Sequence, residues 1–227
     1  MLFHKHKEKR LEAERHAHDL EELQGKVNEI TDGEGVISPE GFREFCEFAG
    51  ARGIDLASAP EIAKEVRVGL AQGGVFLPSE QTTLILKKDE RLLLDTPVSL
   101  LKEVADREFR GGSQGVSIPI GGGMRYRVGA VRGHMVTIGS HWEPVDEGQL
   151  TVTDQRIVYH GGRKTLEFPF SKLATLNVYS DAIDLGVTSR QTTSSFRTSH
   201  ADLIAGIIYG AISHQDHITI LRIEFAG

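Results

Sequence analysis

The chain has 227 residues, of which 39% are hydrophobic and 26% charged, with a net charge of −6. This composition suits a soluble globular protein and excludes attraction of nucleic acid or acidic lipid by overall charge. The one cysteine, Cys46, excludes an internal disulfide framework and suits a reducing compartment.

Residues 4–31 read as a helix, rich in Glu, Lys, Leu, Ala and Arg, with no Pro and no Gly before Gly25. Ala13, Leu20, Leu23, Val27 and Ile30 recur at spacings of seven, three, four and three. This narrow apolar seam could serve a coiled coil or one stripe packed on the same chain, and the second reading is favoured. The turn at Thr31–Gly35 precedes a second helix, with Ser38 as N-cap, Pro39 at its first position and an end near Arg52-Gly53. Phe42, Phe45, Cys46 and Ala49 form its buried stripe. A third helix is expected from Pro60 to Ala71, stopped by Gly73-Gly74, and residues 73–81 read as a linker.

From Thr82 the texture changes to short strands and turns. Strands are expected at 115–120 and 124–129, with Gly121–Gly123 as their turn. Leu150 and Val152 alternate in one strand, Ile157 and Tyr159 in the next, and Asp154-Gln155 turns between them. All four apolar residues are expected in the core. Further strands are expected at 166–170, 173–178 and 183–187, and a weak one around Phe196. A helix follows at 201–213, and a last strand at 217–225. The longest apolar run, 203–212, is about half the roughly 20 residues a spanning helix needs. No apolar signal-peptide core follows Met1, so a cytoplasmic protein is expected, with a peripheral place at the membrane as the alternative.

Several segments taken together resemble bacterial PH-like, GRAM-like domains. They are Leu86–Leu92, Gly115–Ser117, Tyr126–Gly129, Phe168–Leu173 and Asp181–Leu185. The most specific is Gly-x-Leu-x-x-Thr-x-x-Arg at 148–156. The resemblance covers about residues 80–215. It implies an α+β fold: a helical N-terminal region, then a PH-like antiparallel barrel capped by the 201–213 helix. The domains expected are 1–31 (N-terminal helix), 32–79 (small helical region and linker) and 80–227 (the PH-like domain with its final strand). The resemblance also implies that the open end and the loop between the first two strands meet lipid headgroups, while other faces meet proteins. The final strand departs from the pattern; pairing with an exposed sheet edge, or with a second copy, is its expected use.

Chemistry is sparse. Arg125 and Arg127, two apart on an expected strand, and nearby Arg132 could hold a phosphate or acidic headgroup. Opposing this, residues 80–227 hold 16 Lys and Arg against 17 Asp and Glu, so no large positive field surrounds them. Asp32–Glu40 looks like the middle of a calcium loop, but Ile30 and Gly41 fall where the first and twelfth ligands belong. The pairs His16/His18 and His214/His217 lack the spacing or companions of a metal site. No metal or other cofactor is expected. No nucleophile-elbow, phosphate-loop or zinc-protease motif occurs. Gly206-x-x-x-Gly210 is expected to permit close helix–sheet packing. The expected function is a non-enzymatic interaction module that docks to a protein partner or weakly to an anionic surface. The alternatives are an anionic lipid or small-ligand binder using the three arginines, and an enzyme of unrecognised type. No nucleic-acid partner is expected; self-association through the N-terminal helix or the last strand stays open.

Overall fold

The structure is a computed structural model describing residues 2–79, 82–113, 116–119, 125–128, 131–189 and 192–221, with backbone only for 2–5, 7, 8 and 105–139. The chain divides into two compact units. One comprises Met1–Leu100 with Asp146–Gly227, and the other Leu101–Val145.

The first unit opens with three helices, α1 (Leu2–Ile30), α2 (Pro39–Arg52) and α3 (Pro60–Gln72). Local chemistry sets their ends. Asp32 Oδ1 accepts from the backbone N–H groups of Glu34 (2.9 Å) and Val36 (2.8 Å), which fastens the turn after α1. Ser38 Oγ accepts from Gly41 N at 3.0 Å, Pro39 starts α2, and Gly53 closes it at φ 65°. The seam of α1 divides. Leu23 and Val27 are buried against Phe45, Ile62 and Leu70 of the other two helices, whereas Ala13 and every described side chain before Asp19 are exposed. Within the first unit the second half of the seam is therefore spent inside the chain.

The expected linker contains a strand, β1 (Val75–Phe76). The remaining strands are β2 (Leu92–Ser113), β3 (Val116–Pro119), β4 (Arg125–Val128), β5 (Val131–Thr153), β6 (Arg156–Gly161), β7 (Thr165–Pro169), β8 (Leu173–Val178), β9 (Ala182–Val187), β10 (Ser194–Arg197) and β11 (Thr219–Ile220). Helix α4 (Ala201–Ser213) lies between the last two. In the second unit β3 and β4 form an antiparallel hairpin with Val116 opposite Val128. The glycine turn expected between them lies outside the described residues.

Seven strands form one antiparallel sheet in the order β7-β6-β5-β2-β10-β9-β8. The sheet curls. Laid flat, its edge strands would stand about 29 Å apart at ~4.8 Å per strand. Yet only Phe170–Lys172 separates the end of β7 from the start of β8, a reach of at most ~14 Å. The Phe196 ring of β10 lies 5.2 Å from that of Tyr159 on β6 and 6.0 Å from that of Phe168 on β7. The core is the concave side, and Leu150, Val152, Ile157 and Tyr159 are all buried there as expected. The edges β7 and β8 are not paired with each other, so the expected barrel is corrected to an open, curled sheet.

Two further expectations change. Gly206 and Gly210 face α3, not the sheet: a Cβ on Gly206 would lie 2.9 Å from Val68 Cγ1, and one on Gly210 would strike the Ala71 carbonyl. The described part of the last strand does not join the large sheet. This part, β11, runs parallel to β1, with Val75 opposite Thr219 and Phe76 opposite Ile220. Residues 222–227 lie outside the described residues.

Candidate functional site

The densest polar cluster among the described residues sits on the β5–β6 hairpin. The segment before β2 crosses it and turns at Asp89, whose φ is 62°. That turn presents the Glu90 carboxylate to four donors. They are Lys87 N (2.6 Å), Thr153 Oγ1 (2.8 Å), Arg156 Nε (2.7 Å) and Arg156 Nη2 (3.0 Å). Arg156 also reaches Glu167 on β7 through Nη1 at 3.1 Å, and Lys87 Nζ meets the same carboxylate at 3.2 Å. The Glu90 side chain is fully buried. Burial alone would raise its pKa, but Arg156, the Lys87 N–H and Thr153 outweigh it and hold the carboxyl at about 2. A carboxylate so fully engaged is a poor proton acceptor and has no free lone pair for a metal. It pins the crossing segment to the sheet.

Two smaller clusters repeat this use of acids. Asp95 on β2 accepts from the Thr151 hydroxyl of β5 and from Thr82 at 3.3 Å. Asp146 accepts from Arg163 N (3.1 Å) and Lys164 N (3.0 Å), fixing the turn after β6. The buried Tyr159 hydroxyl lies beside it at Gly161, where a Cβ would strike both groups. Burial, then the Asp146 charge, push the tyrosine up to about 12.

Arg125 and Arg127 lie on β4 opposite Pro119 and Ser117, and Arg132 lies on β5; their side chains are outside the description. All three belong to the second unit. His214 Nε2 donates to the Gln72 carbonyl at 2.9 Å and so ties the end of α4 to the end of α3. Among the described residues no three His, Cys, Asp or Glu side chains gather as a metal site would require. Cys46 is half-buried, and burial pushes its thiol pKa up, away from the reactive thiolate.

No protein-family model and no curated protein matches this chain. Sequence reasoning missed Glu90, Asp95 and Asp146, which stand in ordinary charged or turn-like stretches. For Glu90 the signal was present: the Thr153-x-x-Arg156 part of the hairpin motif supplies three of its four donors.

Proposed function

We propose that the chain is a non-enzymatic interaction module of PH-like type that docks to a protein partner. The observation carrying this reading is the strand order: a seven-stranded antiparallel sheet, curled and open, in which β2 pairs with both β5 and β10, followed at once by a helix packed on β8 and β9. This agrees with the curved sheet and late helix that the resemblance at 148–156 implies. The clustered acids support a non-enzymatic role, because Glu90, Asp95 and Asp146 are all engaged by donors from the chain itself.

The test is affinity capture from the source cell, followed by reconstitution from purified components and calorimetric titration. A stoichiometric complex with a dissociation constant of about 1 µM or tighter is expected. If no captured protein rebinds once purified, the reading fails.

A second reading has its own observation. The second part of β2, the β3–β4 hairpin and the first part of β5 form a compact unit of their own, and it contains Arg125, Arg127 and Arg132. In the resembled family the loop between the first two strands meets headgroups. On this reading the protein sediments with phosphatidylserine vesicles and not with neutral ones, and replacing all three arginines by alanine abolishes the difference. Binding that survives the triple replacement rules it out. An enzyme of unrecognised type is the remaining alternative; no observation favours it.

A further inference from the structure

The two edges of the open sheet are treated differently. Along β7, Glu167 is held by Lys87 and Arg156, Lys164 stands at the start, and Pro169 at the end has no N–H to offer. Such features keep a foreign strand away. Edge β8 has few of them. From Leu173 to Ser180 no residue is charged. The inner side of β8 pairs with β9, placing Leu176 opposite Leu185 and Val178 opposite Ile183, and no strand among the described residues takes its outer side. A register shift between Leu173 and Thr175 is its one irregularity, which leaves Thr175–Val178 regular. Val178 and the following Tyr179 are 47% and 51% exposed.

We propose that β8 is a self-association edge: two copies of this chain pair antiparallel along it and join their sheets. Charge selects this occupant. Exposed Lys172 stands just before the strand and has no ion pair among the described residues; Asp181, its side chain 71% exposed and 4.0 Å from Arg197 Nε, stands just after it. Antiparallel pairing brings each Lys172 to the end that carries the other copy's Asp181, while the neutral stretch between them sets no like charges against each other. A two-fold axis through the pair must place a residue opposite itself, because paired side chains share a face. Leu176 or Asn177 therefore lies at the centre. This surface is separate from the N-terminal helix and from the last strand, whose described part is already paired with β1.

Sedimentation velocity of the full chain, from low to high micromolar concentration, provides the test. A concentration-dependent dimer is expected. Val178→Lys puts a cation on this neutral apolar edge within two residues of the axis in either register and should raise the dimer dissociation constant at least about tenfold, with circular dichroism and thermal melting confirming an intact fold. Lys172→Glu should weaken the dimer as well, and adding Asp181→Lys should restore it, since the exchanged pair is again complementary. A monomer at every concentration overturns the proposal. So does a dimer indifferent to Val178→Lys, or a Lys172→Glu loss that Asp181→Lys leaves unrepaired.

Discussion

Removing a carboxylate from water costs several kcal/mol unless donors replace the lost hydration. Glu90 is buried with four donors in place, two of them from one guanidinium. Removing Arg156 should therefore cost far more than a surface ion pair is worth. Arg156→Met leaves Glu90 buried and is expected to destabilise by about 3–5 kcal/mol in urea unfolding. The double replacement Glu90→Leu with Arg156→Met removes both charges and should recover most of that loss; a single variant costing under about 1 kcal/mol would mean the pair behaves as an exposed one. The same pair sets an acid dependence. Glu90 titrates near 2 when folded, against 4.5 ordinarily. Its folded pKa is depressed, so its contribution is fully present above about 4.5 and is lost as pH falls toward about 2. Melting temperatures across this window should fall more steeply for the wild type than for the double variant. Parallel curves would show that another group governs acid unfolding.

At the scale of elements, the crossing of α3 and α4 depends on two missing side chains. The carbonyl of Ala71 fills the space where a Gly210 side chain would stand, and Val68 fills that at Gly206. Gly210→Val must push the helices apart, and a loss of about 2–3 kcal/mol is expected. Gly25 gives the contrast: it is exposed in mid-helix with nothing within 4 Å of its missing Cβ. Gly25→Ala should stabilise by about 0.5–1 kcal/mol through helix propensity alone. If both replacements have the same sign in thermal melting, the assigned contact is wrong. The glycine spacing was legible in the sequence; its partner was not, because periodicity defines a face and is silent about what covers it. Caps were legible for a similar reason: Ser38, Pro39 and Gly53 act on their own backbone, within three residues. Two strands were not. Val75-Phe76 is too short to show alternation, and Pro97 interrupts the pattern of β2, although Leu94, Thr96, Val98 and Leu100 are buried in alternation around it.

At the scale of the whole molecule, α1 is two structures in one helix. Residues 19–30 belong to the core: Leu23 and Val27 are completely buried, and Glu22 holds Arg52 through two bonds of 2.8 and 3.1 Å while that guanidinium covers the Phe48 ring at 3.9 Å. Before Asp19 every described side chain is exposed, and the one ion pair made wholly there among the described residues, Arg10–Glu14, is a surface pair of little worth. Deleting residues 2–18 should therefore change unfolding free energy by no more than about 0.5 kcal/mol. Asp19 would then stand at the new helix start, where a carboxylate meets the positive end of the helix dipole. Deleting residues 2–30 is a different operation. It strips two fully buried side chains from the three-helix core, each worth about 2–5 kcal/mol when cut to alanine. Against the about 5–15 kcal/mol that holds a typical domain folded, this leaves little. Urea denaturation should give near-identical midpoints for the wild type and the short deletion, and a lost or strongly shifted transition for the long one. A short deletion as damaging as the long one would place the exposed half of α1 inside a contact, and a second copy would be the first partner to look for.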